Sequence, residues 1–228
     1  MARSKEDIMK ILDKWVSNHG HTDYYDEDDE EAGDFGDYEI PIIPGIQQFR
    51  AEIEEFISLL LSEKSTHKIL GIGMGYYGST SFLWRHIFDK VITIEKSHDR
   101  TRSFGTNMYN FYGKWVLNDK KSSFIIGMSN ETASVRKAYE LTMNNPLDVL
   151  FIDGDHSYEG VLTDWLLYNP LVRKGGIVAF HDVLPTKQQI GVPRFLELLF
   201  EGKIDGKPRE KHMIVKSKKA GIAYYRKT

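Results

Sequence analysis

"LDVLFIDGDHSYEGVLTDWLLYNPLVRKGGIVAFHDV" (147–183) holds two short, mostly apolar runs with a helical pattern between them. Strand, helix and strand over this length make a βαβ unit, because parallel strands need a long crossover and antiparallel ones do not. Neither run alternates polar and apolar residues, so both faces of the sheet are expected to be covered. The strand ends carry further information. The first run closes on "DGDH" (153–156) and the second on "HD" (181–182). Core strands do not end in carboxylates and imidazoles for packing reasons. A strand that ends this way ends at a site.

The same alternation extends toward the N-terminus. "KILGIG" (68–73), "KVITIEK" (90–96) and "SSFIIG" (122–127) read as strands. "STSFLWRHIF" (79–88), "NETASVRKAYELTM" (130–143) and "YEGVLTDWLLY" (158–168) read as helices, and 97–115 as a poorly patterned one. After a helix over "VPRFLELLFEG" (192–202), "HMIVKS" and "GIAYYRK" are joined by only "KKA", which demands an antiparallel hairpin. The sheet is therefore doubly wound and mostly parallel, with an antiparallel last strand. Upstream, "SKEDIMKILDKWVSNHG" reads as a helix capped by Ser4 with Asp7, and "IQQFRAEIEEFISLLLSEK" as a second. The expected division is 1–45, an N-terminal helix and acidic flexible segment, and 46–228, one α/β domain.

The bulk numbers narrow the function. The 228 residues contain no Cys, which excludes disulfides, thiolate nucleophiles and Cys-ligated metals. The N-terminal stretch has no apolar h-region, and no apolar run approaches the ~18 residues of a membrane span. A cytoplasmic protein with no membrane partner is expected. Residues 23–39 hold ten carboxylates and no Lys or Arg, so the net charge of −3 less this segment's −10 leaves +7. That segment reads as a solvated loop, or as an acidic lid whose Tyr24, Tyr25, Phe35 and Tyr38 meet a partner. The basic residues elsewhere are scattered, so no nucleic-acid partner is expected.

"LGIGMGYYGST" (70–80) follows the first strand and opens a helix, where glycines let backbone N–H groups approach a ligand. Gly73, Gly75 and Gly78 fit the G-x-G-x-x-G of dinucleotide sites, and Gly71, Gly73 and Gly75 equally fit a G-x-G-x-G nucleoside loop. Glu95 ends the second strand 22 residues after Gly73, where a carboxylate can take both ribose hydroxyls. Met128 and Ser129 follow the third strand where an adenine edge would be met, or Ser129 caps the next helix. All these positions fall at carboxyl ends of parallel strands, where open α/β sheets bind ligands.

With these motifs in place, the chain resembles the class I S-adenosylmethionine-dependent methyltransferases across roughly residues 45–228. That resemblance implies a Rossmann-like seven-stranded sheet with a reversed last strand, and S-adenosyl-L-methionine as cofactor. The block 148–183 resembles small-molecule O-methyltransferases of the macrocin, rhamnosyl and cephalosporin-hydroxylase-like subgroup, and "GVPRFLELL" adds to it. The resemblance implies a divalent metal, Mg²⁺ or Mn²⁺, beside the donor. Its ligands would be Asp153 and the pair His181–Asp182, in which His181 stands where the subgroup has an acid. Asp153 and His156 have the Asp-x-x-His spacing that supplies a general base, and Asp153 also borders the donor. The implied partner is a small-molecule hydroxyl acceptor, such as a sugar or glycoside, and a homo-oligomer is compatible with it.

The chemistry agrees with this resemblance. Methyl transfer from a sulfonium needs alignment of nucleophile and methyl, and removal of a hydroxyl proton. A neutral His is a suitable base near pH 7. Asp153, Asp155 and Asp182 are hard oxygen ligands, and His181 favours Mn²⁺, Fe²⁺ or Zn²⁺. Asp155 with Ser157 equally well caps the helix near Tyr158, and His181 equally well orients Asp182. Phe104, Tyr109, Phe111, Tyr112 and Trp115 either stack an acceptor ring or pack in the core. Two rivals stand beside this reading. A nicotinamide oxidoreductase explains the glycine loop and Glu95 but not the terminal hairpin or the two polar strand ends. A donor-binding module without catalysis predicts binding without turnover.

Overall fold

The computed structural model describes residues 4–18, 49–73, 79–96, 120–186, 190–216, 218 and 220–228. The acidic segment, the aromatic stretch 97–115, Gly75 and Gly78 lie outside them. The elements in order are α1 (Lys5–Asn18), α2 (Arg50–Ser62), β1 (Lys68–Ile72), α3 (Ser79–Ile87), β2 (Lys90–Glu95) and β3 (Ser122–Ile126). They continue with α4 (Thr132–Thr142), β4 (Leu147–Ile152), α5 (Tyr158–Tyr168) and a 3₁₀ turn (Asn169–Leu171). The chain ends with β5 (Val172–His181), α6 (Gly191–Phe200), β6 (His212–Ile214) and β7 (Ile222–Arg226).

Seven strands form one sheet in the order β3-β2-β1-β4-β5-β7-β6. β1 to β5 are parallel, and β7 is antiparallel to both its neighbours. The hairpin is therefore present, and its reversed strand sits between β5 and β6 rather than at the sheet's edge. Each face of the sheet carries its own core. Leu70, Ile152, Trp165, Phe180 and Phe195 pack on one face beneath α4, α5 and α6. Ile53, Phe56, Trp84, Phe88 and Phe151 pack on the other beneath α2 and α3. Ile8 and Met9 of α1 belong to that second core, so the N-terminal helix is docked on the sheet's outer layer. Ser4 and Asp7 cap α1 reciprocally, with Asp7 N donating to Ser4 Oγ at 3.1 Å and Ser4 N to Asp7 Oδ2 at 3.3 Å.

One buried carboxylate ties the hairpin to α2. Glu52 is fully buried and accepts from Lys216 N at 2.8 Å and Gly221 N at 3.0 Å. It shares the apolar face of α2 with Phe49, Ile53 and Phe56, where an acid has no packing reason to be. Glu52→Ala strands the N–H groups of Lys216 and Gly221, the second of them buried, and is expected to cost about 3 kcal/mol. Calorimetric melting should then fall by roughly 6–12 °C. A fall under one degree would remove Glu52 from the stability account.

Candidate active site

Strand register builds the site. Ile72 pairs with Ile94 and with Ile152, and Ile152 pairs with Phe180. The next residues along β2, β1, β4 and β5 are therefore Glu95, Gly73, Asp153 and His181, in one row across the carboxyl edge. Neighbouring strands lie ~4.8 Å apart, so groups from adjacent strand ends can share one small ligand. Each end is tethered to its neighbour. Gly73 N donates to Ile94 O, Asp153 N to Ile72 O and Gly127 N to Glu95 O, each at 2.9 Å.

Gly73 has φ +81°, and a Cβ there would collide with the Asp153 carbonyl. Glycine is thus required where the chain leaving β1 passes the end of β4. Gly71 lies within β1, two residues short of the edge, and a Cβ there would meet Trp84 at ordinary contact distance. It borders the core rather than the edge. Glu95 is 5% exposed, and its Oε1 accepts from Lys96 N at 3.1 Å. Met128 is exposed at the end of β3. Ser129 does not cap α4, whose N-cap is Glu131.

Asp153, His156, His181 and Asp182 converge. His156 Nε2 lies 3.2 Å from Asp182 Oδ2 and 3.6 Å from Asp153 Oδ1. His181 Nδ1 lies 3.3 Å from Asp153 Oδ1 and 3.4 Å from Asp182 Oδ1. One ligand atom from each of Asp153, His181 and Asp182 falls within 4.8 Å of the others. Successive strand residues point to opposite faces, so adjacent residues 181 and 182 would not normally share a centre. Asp182 resolves this with φ +54°, the one positive φ outside glycine among the described residues. Asp tolerates the left-handed region better than most residues, and strain of this kind collects at functional sites. Asp155 turns away from the cluster. Its Oδ1 accepts from Ser157 N at 2.9 Å, and Ser157 Oγ accepts from Gly160 N at 3.0 Å, capping α5. The start of α6 backs the same turn, where a Cβ on Gly191 would collide with the backbone of residues 156–158.

The electrostatics follow from this crowding. Burial alone would raise Asp153, but the charge of His181 and hydrogen bonds from both imidazoles hold it at about 2. Burial alone would lower His156, yet the Asp153 hydrogen bond and the charges of Asp182 and Asp153 leave it raised. Burial likewise opposes protonation of His181, and the charges of Asp182 and Asp153 overcome it, lifting it well above its ordinary value. The two carboxylates thus favour the protonated forms of both imidazoles. The donor set also fits a borderline divalent cation, with two hard oxygens and one imidazole nitrogen in reach of one point.

Two further residues were not anticipated. Asp164 is 1% exposed on α5, and Tyr168, one turn later, is fully buried. The signal was in the sequence: in "VLTDWLLY" (161–168), Asp164 lies on the same helical face as Val161, Trp165 and Tyr168.

Among proteins of known sequence, residues 72–183 match the family described as a methyltransferase domain. An uncharacterized protein, R132, of Acanthamoeba polyphaga mimivirus is 51% identical over 41 residues, 18% of this chain and 19% of that protein. The chain thus matches about a fifth of that relative's length. Among solved structures, the O-methyltransferase NovP superposes with a TM-score of 0.60 at 18% identity, covering 98% of each chain. The MycE methyltransferase of the mycinamycin pathway, crystallised with Mg, SAH and mycinamycin VI, superposes with a TM-score of 0.55 at 14% identity. That match covers 95% of this chain and 54% of MycE. At these identities the structural likeness carries the fold, while the sequence match runs from the end of β1 to just past β5 and holds the whole converging cluster. That segment, just under half of the chain, matches the methyltransferase-domain family, and the fold of the chain is the class I methyltransferase sheet.

Proposed function

We propose that this chain transfers the methyl group of S-adenosylmethionine to a hydroxyl of a small molecule, with a sugar or glycoside as the favoured class. Gly73 and Glu95 would hold the donor, with Gly75 of the glycine motif and with Met128 and Ser129 beside the base. Asp153, His181 and Asp182 would hold a divalent cation, and His156 would be the general base. The observation that carries this reading is the convergence of Asp153, His156, His181 and Asp182 one strand from Gly73. MycE, of the same fold, was crystallised with Mg and SAH together.

The bound sulfonium supplies an electrophilic methyl group, and a bound cation lowers the pKa of an acceptor hydroxyl. The protein's own residues do the remaining work. Asp153 keeps its negative charge across the neutral range when paired as it is. The charges around it favour protonated His156, which would lose that support once a bound cation neutralised them and would then be the base that takes the hydroxyl proton. Cation binding is therefore expected to release protons. The sign follows from the raised values of His156 and His181: apparent cation affinity should rise with pH until both are neutral and fall below that. Mn²⁺ calorimetry in buffers of different ionisation heat reads the proton count directly. A count of zero near pH 7 would contradict the coupling of His156 to the cation site.

Donor binding is tested separately. S-adenosylhomocysteine should bind, NAD should not, and Glu95→Ala should weaken binding by about 1–3 kcal/mol through loss of charge-assisted hydrogen bonds. Unchanged affinity would remove Glu95 from the donor site.

A further inference from the structure

Helix α5 links the two halves of the site. Its N-terminus follows "DGDH" directly, and its buried side reaches the loop after β3. Tyr168 donates its hydroxyl to the carbonyl of Ser129. The Ser129 hydroxyl lies against the Asp164 carboxyl and favours its ionised form. Asp164 and Tyr168 are one helical turn apart, so they meet one residue of the loop, one at its side chain and one at its backbone. Asp164 also touches the end of β4. A Cβ built on Gly154 would sit 3.2 Å from Asp164 Oδ2 and 3.0 Å from Ile72 Cγ2. Asp164 Oδ2 itself is buried without a hydrogen-bond partner.

A carboxyl in that setting is expensive. Burial raises Asp164 to about 6, against the effect of Ser129. An apolar residue would pack there at lower cost, since a buried unpaired oxygen forfeits its hydration. Stability alone does not account for Asp164, and its contacts point to the loop it holds.

We propose that Asp164 and Tyr168 are positioning residues for the methyl donor: they clamp Ser129 so that residues 127–129 keep the shape that receives the donor's adenine. This rests on the donor reading above and adds to it a cause for the site's preference among purine bases. The clamp is expected to act on donor affinity and base selectivity and not on the chemical step.

The test uses the full chain with S-adenosylhomocysteine and its hypoxanthine analogue, S-inosylhomocysteine, as probes. Tyr168→Phe removes the hydroxyl alone, and Asp164→Leu replaces the carboxyl with an apolar side chain of similar shape. Each variant should bind S-adenosylhomocysteine about fivefold to tenfold more weakly, the usual worth of one hydrogen bond. Each should also lose most of the wild type's preference for adenine over hypoxanthine. Asp164→Leu should melt at or above the wild-type temperature at pH 8, so that affinity falls while stability does not. Variants that keep wild-type affinity and base preference would overturn the clamp, whatever their melting temperatures. A weakening accompanied by an equal loss for both analogues and a lower melting temperature would also overturn it, as a structural defect. If wild-type protein binds neither analogue, the donor reading itself fails, and that result is separate from either outcome for the variants.

Discussion

His156→Ala is expected to lower turnover about 10²–10⁴-fold, the usual worth of a general base. Donor affinity should stay within about twofold, since the loss falls on the chemical step alone. The geometry supports so large an effect. His156 is the imidazole with solvent access in the cluster, its side chain 32% exposed against 5% for His181. It sits on the turn after β4, fixed from behind by the start of α6. His181 is buried, and its Nδ1 faces both carboxylates, so it cannot reach an acceptor without leaving them. Single-turnover rates at saturating donor separate chemistry from binding. A His156→Ala enzyme within threefold of wild type would move the base elsewhere.

Asp182→Asn is expected to abolish high-affinity Mn²⁺ binding and the turnover that depends on it. Asn is chosen because it tolerates the left-handed backbone at φ +54° and keeps the side chain's shape. What changes is the charge. The cluster loses one of two carboxylates, and the remaining Asp153 faces two imidazoles alone. Donor affinity should be nearly unchanged, because Asp182 lies two strands from Gly73. Manganese electron paramagnetic resonance counts free ion directly. Retained submillimolar binding would take Asp182 out of the cation site.

Much of this site was legible because polar residues at strand ends are rare without a reason. "DGDH" and "HD" placed Asp153, His156, His181 and Asp182 together before any coordinates, since a βαβ unit brings both ends to one edge. The reversed β7 followed from a three-residue connection. Other features lay beyond sequence reasoning. Asp155 and Asp153 are equivalent by type, and only the turn geometry sends one to cap α5 and the other to the cluster. Gly71 and Gly73 both fit a glycine motif, and the strand's last paired residue, Ile72, decides which of them meets the edge. The left-handed Asp182 has no composition signal, because an Asp after a strand looks the same in any backbone conformation. Glu52 and Asp164 did leave a signal, an acid on an apolar helical face. Their partners, Lys216, Gly221 and Ser129, are distant in sequence, so only the fold gives the acids a role.

The central claim is that donor and cation occupy one edge, with Gly73 and Glu95 on one side and Asp153, His181 and Asp182 on the other. S-adenosylmethionine carrying a ¹³C-labelled S-methyl group, bound to the protein and titrated with Mn²⁺, measures this directly, because a paramagnetic ion broadens only nuclei near it. The account predicts that the bound methyl resonance broadens as Mn²⁺ fills the site, and that Asp182→Asn abolishes the effect at the same ion concentration. A bound methyl resonance that stays sharp in the wild type with Mn²⁺ at saturation would contradict it.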